Sequence, residues 1–468
     1  MRLSAPQAVE VALAHARTLP GVLDCVAVGS HESTTSLRWA NNTMTSNGFG
    51  WSNSLSVVAY VKVNGGVASG TVSDSDSDFG IVFARSVVER AVAAARDAEP
   101  ARNPVELPGN LHVGNWDAQP YVTDVDALAN VTATLGAVLL RGGKEERNHS
   151  GYAEHERCST WVGSLSGIRL RDDEQDGRLE MTCRADGGSR SAWEGKHSRS
   201  LIDVDVHALD DALIRQLSWQ RNRRELSPGR YRTVLPPGPV GDLMATYDAN
   251  LGGREAVEGS GPFARAGGST RIGERVAGHR SYDLYSDPAH TGIEVSPYVV
   301  DLWDSATSSV FDTGRRAVRT DWVKDGVLTA LCTSGDVAAA TGLAFAPNVA
   351  NLILDVEGGH GDTDEVIART EHGLLINTLW YIRDVDDATM TVTGTTRDGV
   401  YEIRDGEVIG AVTNFRFNES PLSVLARVQD AGAPVLCQTR ENAETISDFL
   451  MPTLVVEDFN MSSVSEAY

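Results

Sequence analysis

The sequence predicts an α+β fold in two parts, on three observations. Residues 1–98 switch between helical and strand periodicity. A run of Pro236-Pro237-Gly238-Pro239 then interrupts the chain, which suits a boundary between an N-terminal α+β domain over 1–235 and a β-rich C-terminal domain over 236–468. Beyond it, Gly and Asp turn signals recur roughly every ten residues from Ile293 to Val412, the spacing of short strands.

Each N-terminal element has a local reason. Ser4-x-x-Gln7 with Pro6 between reads as a capping box, and Val9, Ala12, Leu13 and Ala16 follow on one helical face. Leu23 to Ala40, rich in Val, Thr and Ser, reads as strands. From Ser54 to Val72, Leu55, Val57, Ala59, Val61 and Val63 alternate, and Asn64-Gly65 supplies a type I′ turn into a second strand. The Asp/Ser run 73–78 lacks the Gly and the twelfth-position Glu of a calcium hand, so it is expected to be a solvated loop that caps the next helix. That helix, Phe79 to Ala98, should bury Ile81, Ala84, Val88, Ala91 and Ala95.

A further helix is expected over Asp124 to Leu140, with a polar break from Arg141 to Ser150. Gly151 to Trp193 reads as a meander turning at Asp172-Asp173 and Asp186-Gly187-Gly188. Asp203 to Arg224 reads as a helix whose basic end, Arg221, Arg223 and Arg224, suits the helix dipole.

At the joint, Val240 to Leu251 is patterned as a helix with Asp242 as its cap, followed by a glycine-rich loop from Gly252 to Gly268. Asp325-Gly326, Asp398-Gly399 and Asp405-Gly406 each sit between apolar runs and read as hairpin turns. Ser420 to Asp430 and Arg440 to Leu450 are short helical or irregular pieces, and a last strand, Thr453 to Asp458, precedes a polar tail.

Composition narrows the function. A formal net charge of −23 argues against a nucleic-acid surface, because that affinity rests on Lys and Arg displacing counterions. Five scattered cysteines without a C-x-x-C pair give neither a disulfide framework nor a zinc ribbon and fit a reducing cytoplasm. With no signal-peptide pattern at the N-terminus and no long apolar run, a cytoplasmic protein without a membrane partner is expected.

Several motifs fall short of chemistry. Gly163-Ser164-Leu165-Ser166-Gly167 has the wrong spacing for a nucleophile elbow. Gly252-Gly253, Gly259-Ser260-Gly261 and Gly267-Gly268 precede no Gly-Lys-Ser/Thr and are no P-loop, and Gly358-Gly359-His360-Gly361 reads as a turn. His31-Glu32 and His155-Glu156 have no second His at helical distance, so His149, His279, His290 and these two read as structural or surface residues. The glycine-rich loop can line a cavity, with Arg254, Glu255 and Glu258 as candidate contacts to a substrate chamber or a partner subunit.

Four stretches occur together and in order: Ser36-Leu37-Arg38-Trp39-Ala40-Asn41-Asn42, Pro228 to Pro236 (PGRYRTVLP), Val323-Lys324-Asp325-Gly326-Val327-Leu328, and Pro452 to Asn460 (PTLVVEDFN). With them the chain resembles the TldD/TldE family, whose TldE branch is also called PmbA and whose members are described as metalloproteases and as gyrase modulators. In that family the TldD-type subunit carries H-E-x-x-x-H on the joint helix and a Cys near the C-terminus, and these bind zinc. The corresponding windows here are Ala245 to Asn250 and Thr445 to Ser447. The first has no His, with Thr246 at the Glu position; the second has no Cys, and Cys437 lies upstream.

The resemblance therefore implies a TldE-type subunit with no catalytic or metal-binding residue and no cofactor of its own. Zinc is expected in a TldD-like metallopeptidase partner, and the joint substrate would be unfolded or small peptides. Two rival readings are a self-sufficient hydrolase with a non-metal site and a regulatory protein of the gyrase-modulator type.

Overall fold

A computed structural model describes residues 2–75, 79–442 and 448–465. Helix α1, Ala5–Ala16, starts where expected, with Gln7 Oε1 accepting from the Ser4 amide at 2.9 Å, and its face of Ala5, Ala8, Val9, Ala12, Leu13 and Ala16 is buried. Strands β1 (Val22–Ala40) and β2 (Thr43–Val63) are long, and β3 (Gly66–Ser75) pairs only with residues 54–63 of β2. The β2–β3 turn is the Asn64-Gly65 hairpin, at φ 50° and 86°. A second turn of the same kind, Asn41-Asn42 at φ 52° and 57°, joins β1 to β2.

Helix α2, Ile81–Asp97, buries Ala84, Val88, Ala91 and Ala95 as expected and Val87 and Val92 besides, whereas Ile81 is exposed in its first turn. Of the expected capping loop, residues 73–75 extend β3, residues 76–78 lie outside the described residues, and Gly80 is the N-cap.

After the two-residue strand β4 (His112–Val113), a 3₁₀ turn capped by Asp124 leads into α3, Ala129–Lys144, which extends into the start of the expected break, and β5 begins within its end. Strands β5 (Asn148–Ser164), β6 (Arg169–Ala185) and β7 (Arg190–His197) form the meander, but Asp172-Asp173 lies within β6 and makes no turn. Helix α4, Val206–Trp219, is capped by the Asp205 carboxylate. The basic run is not its end: Arg223–Arg224 form strand β8.

The remaining elements are β9 (Gly229–Leu235), α5 (Pro237–Ala249), α6 (Gly253–Glu258), β10 (Tyr282–Ser286), β11 (Thr320–Lys324), β12 (Val327–Leu328), α7 (Gly335–Thr341), β13 (Asn351–Val356), α8 (Thr363–Ala368) and β14 (His372–Ile376). Then come β15 (Leu379–Asp386), β16 (Thr391–Thr396), β17 (Val400–Arg404), β18 (Glu407–Val412), β19 (Asn414–Glu419), α9 (Pro421–Ala426), β20 (Val428–Ala431), β21 (Val435–Cys437), β22 (Asp448–Met451) and β23 (Leu454–Ser465). Asp325-Gly326 and Asp405-Gly406 are hairpin turns. Asp398-Gly399 is not, because β16 and β17 do not pair with each other. Residues 287–319 contain one 3₁₀ turn and no strand, so this part is less regular than its turn signals suggest. The polar tail is strand as far as Ser465.

Among the described residues the strands make three sheets. The first runs β3-β2-β1-β5-β6-β4 with β7 beside β6; the second runs β12-β11-β10-β13-β22-β21; the third runs β15-β16-β19-β23-β9-β14-β17-β18-β8 with β20 beside β23. Strands β8 and β9 precede residue 236 yet pair within the third sheet.

Strand periodicity explains how the first sheet is used. One face takes α1 and α2 over Cys25, Ala27, Leu55, Val57 and Ala59, and α3 and α4 over Leu37, Trp39, Ala153 and Met181. On the other face Val26, Val28, Val58 and Tyr60 pack against Val310 and Phe311 of the C-terminal part, where Tyr60 Oη donates to the Val310 carbonyl at 2.6 Å. Residues 43–52 of β2 are exposed throughout, and among the described residues only β1 pairs with this stretch. In the C-terminal part, α5 is buried in a core that includes Trp322, Phe415, Phe417, Phe449 and Phe459.

Candidate functional site

Helix α5 joins the two halves, and its capping differs from expectation. Pro236 is the N-cap, and Asp242 sits inside the helix, 1% exposed. Asp242 reaches across to the chain before β22: Oδ1 accepts from the Glu441 amide at 2.9 Å and the Asn442 amide at 3.1 Å, and Oδ2 from the Arg440 amide at 3.3 Å. Burial pushes its carboxyl up to about 7 against the pull of these donors. Its role is to tie residues 440–442 to α5.

The window that would bear a metal on this helix is Ala245-Thr246-Tyr247-Asp248-Ala249, with Asn250 as C-cap. Of these, Asp248 alone has a side chain that zinc commonly accepts, and three converging ligands are needed. Cys437 does not complete a set with it: it packs on the first turn of α5, where its Sγ lies 3.4 Å from the Pro237 carbonyl, and burial raises its thiol pKa. Thr445 to Ser447 lie outside the described residues. The residues present on α5 do not fit a zinc ion.

Among the described residues one set of His, Cys and Asp does converge, namely His149, Cys183 and Asp210, all buried. A guanidinium already fills its centre: Arg147 Nη1 lies 2.6 Å from Asp210 Oδ1, 3.2 Å from His149 Nε2 and 3.8 Å from Cys183 Sγ. Asp210 also lies 2.8 Å from His149 Nε2 and accepts from Arg141 Nε at 3.0 Å. Burial alone would raise its pKa, but these partners hold the carboxyl well below its usual range. The group is a buried ion network that locks α4 onto β5 and β6. His149 is thus structural, as is His155, 2.6 Å from Thr123 Oγ1 on the helix-covered face of the sheet.

A concavity lined by acids lies elsewhere, in a cleft of about 730 Å³ between the first sheet and the C-terminal part. Glu154 and Glu156 on β5 and Asp172, Glu174 and Asp176 on β6 alternate along their strands and so share one face. Register sets Glu156 directly opposite Asp176, and Thr34 of β1, next to Glu32, opposite Glu156. Glu294 and Asp448 close the C-terminal side. Arg178 lies 3.1 Å from Glu154, and Arg199 lies 2.8 Å from Asp448 and 3.7 Å from Glu294. Opposed like charges cost stability across a strand pair. Burial first, then Glu32, Glu154 and Asp176, push the Glu156 carboxyl up to about 7. Burial and Asp172 likewise raise Glu174.

The sequence alone gives none of these acids a site role: Asp172 reads as part of a turn, and Glu156 only as half of a lone His-Glu pair. The signal was there in the alternation Glu154-x-Glu156 and Asp172-x-Glu174-x-Asp176, hidden because a run of acids also reads as a turn. Arg254, Glu255 and Glu258 lie on α6, not on a loop, and none of them lines the cleft. Arg254 is paired with Asp336 at 2.5 Å, Glu255 is half-buried with its pKa raised by burial, and Glu258 is exposed. Ser164 accepts from the Ile168 amide at 3.0 Å and contacts Ser166 Oγ at 2.7 Å, which makes it part of the β5–β6 turn.

No helix of the described residues is long and apolar enough to cross a membrane. The sequence model of the PmbA/TldA metallopeptidase C-terminal domain matches residues 228–463. No curated protein matches the chain. Among solved structures, TldE from Thermococcus kodakarensis is similar over 97% of this chain and 99% of its own, with a TM-score of 0.75 and 15% identity. A protein described as a modulator of a DNA gyrase from Thermotoga maritima MSB8 is similar over 93% of this chain and 96% of its own, with a TM-score of 0.71 and 14% identity. A further one, from Bacteroides thetaiotaomicron VPI-5482, covers 97% of this chain and 98% of its own at a TM-score of 0.72 and 15% identity. At these identities the likeness shows the fold.

Proposed function

The chain belongs to the PmbA/TldD metallopeptidase family, and from that premise we propose that it is the metal-free subunit of a two-subunit peptidase acting on unfolded or small peptides. One observation carries the reading: the joint helix offers Ala245, Thr246 and Asn250 where a zinc-binding relative has His, Glu and His. A TldD-like partner then holds the zinc, which supplies an activated water when bound. This chain contributes a wall of the peptide chamber and stabilises its partner.

The acidic cleft is the part of this chain that faces the peptide. Its walls are crowded with carboxyl groups, which suits a polar, extended substrate with a free amino terminus or basic side chains better than a lipid or an apolar cofactor. Of the three residues on α6, Glu258 is the one exposed for a contact with the partner, since Arg254 is engaged by Asp336.

The test is metal content and peptidase activity of this chain alone and after co-expression with a TldD-like protein of the same genome. Zinc and activity confined to the co-purified complex are expected. Stoichiometric zinc or peptidase activity in the isolated chain overturns the reading.

A further inference from the structure

A second concavity carries the opposite sign. It is a groove of about 680 Å³ between residues 262–276, the start of β16, the end of β19 and α9, and it is lined by Arg230, Arg271, Arg275 and Arg427 against one carboxylate, Glu419. In a chain of formal net charge −23 this is a local reversal.

The four arginines are not equally satisfied. Arg427 is ion-paired to Glu419 and also donates to the carbonyls of Glu457 and Asp458, at 2.9 and 2.6 Å. Arg271 is paired with Glu274 at 3.0 Å. Arg230 and Arg275 are exposed and reach backbone carbonyls, Asp458 at 3.1 Å and Asp325 at 3.2 Å. Among the described residues neither has a carboxylate within ion-pair distance. A carbonyl satisfies one donor of a guanidinium and leaves its charge and four further N–H groups uncompensated. Two planar forks therefore line one groove with their charge unanswered, in the geometry that carboxylates fit in bidentate fashion.

We propose that this groove binds an acidic stretch of a partner polypeptide, with its carboxylates on Arg230 and Arg275. Charge complementarity chooses the occupant. The groove also offers apolar surface at Pro262 and Leu422. A nucleic acid reaches well beyond one groove, and the net charge of −23 on the chain repels its phosphates. The site is independent of the peptidase reading, and its test needs neither the zinc subunit nor activity.

The experiment is fluorescence anisotropy of the isolated full chain with labelled peptides of equal length, one rich in Asp and Glu, one in Lys and one in Gly and Ser. Each is titrated into wild type, R230Q/R275Q and a control, R17Q/R85Q, which removes the same charge from exposed positions elsewhere. The acidic peptide should bind wild type and the control, weaken with salt, and lose at least about tenfold in affinity in R230Q/R275Q. Because the net charge of the chain repels an acidic peptide, such binding must be local. The Lys-rich peptide should be unaffected by R230Q/R275Q. If R230Q/R275Q is thermally destabilised, the single variants R230Q and R275Q are compared instead, each with a partial loss expected. Absence of acidic-peptide binding, an equal loss in both double variants, or full displacement by inorganic phosphate at equimolar concentration overturns the proposal.

Discussion

Arg199 Nη2 donates to Asp448 Oδ2 at 2.8 Å, bridging the segment after β7 to the first residue of β22 in the C-terminal part. Beside it His197 Nε2 lies 3.1 Å from Asp176 and 3.4 Å from Asp448. Burial would lower the pKa of this imidazole, but the two carboxylates outweigh it and hold it up at about 9. A raised folded pKa means that the contribution is complete below about pH 6.5 and is lost as pH rises through about 9. The loss is at most about 3 kcal/mol. Melting temperature should therefore fall across that window in wild type and much less in H197Q. Equal slopes in the two proteins would remove His197 from the account.

The buried network at Asp210 makes a second, larger prediction. D210N keeps the shape of the side chain but removes the buried carboxylate from the Arg147 guanidinium, 8% exposed, and leaves it, among the described residues, only the exposed Glu145, 2.8 Å away, as an ion-pair partner. Removing one member of a buried ion pair typically costs about 3–5 kcal/mol. Urea denaturation should show a loss of that order, and a value under about 1 kcal/mol would mean that the network is wetter than its burial indicates. Adding zinc should leave the stability of wild type unchanged, since Arg147 fills the centre of the cluster.

Gly70 on β3 marks the closest approach of that strand to α2. A Cβ at this position would stand 2.2 Å from the Ala95 amide nitrogen and 2.6 Å from the Ala91 carbonyl oxygen, both backbone atoms that cannot swing aside. G70A should destabilise the chain by about 1–3 kcal/mol through overpacking. A neutral result in thermal denaturation would show that α2 can shift off the sheet.

Asp242 holds three successive amides, those of Arg440, Glu441 and Asn442. D242A should raise hydrogen exchange at these amides more than elsewhere and cost about 2–4 kcal/mol in global stability, from lost charge-assisted hydrogen bonds at a buried site. Unchanged exchange at Glu441 and Asn442 would show that the loop is fixed by other contacts, such as Glu441 with the amides of Tyr381 and Ile382, at 3.0 and 3.2 Å.

What could be read in advance was what nearby residues decide. The Ser4–Gln7 start of α1, the Asn64-Gly65 turn and the Asp405-Gly406 turn each depend on a few neighbours, and each is where local chemistry puts it. Asp398-Gly399 has the same turn chemistry, but the strands around it find other partners, a choice made by the sheet as a whole. Arg223 and Arg224 look like a helix end and instead pair in parallel with Ala411 and Val412, almost two hundred residues away. The missing metal ligands on α5 were legible because a ligand set is a matter of residue type at known positions. The acidic cleft was not, because its charge arises only when register brings Glu156 against Asp176 and the C-terminal part adds Glu294 and Asp448.

The outer edge of β2 from Thr43 to Ser52 exposes Met44, Phe49 and Trp51, and no charged residue occurs between Arg38 and Lys62. Edge strands are commonly guarded by lysine, proline or a bulge, and the side chains of this one provide no such guard. The net charge of −23 on the chain opposes the approach of a second copy to this edge. Such long-range repulsion acts over about 8 Å at physiological ionic strength and less in stronger salt. Concentrated salt should therefore favour strand-to-strand association of the purified chain and dilute buffer oppose it, the reverse of a protein kept soluble by local charge, and light scattering against ionic strength reads the difference.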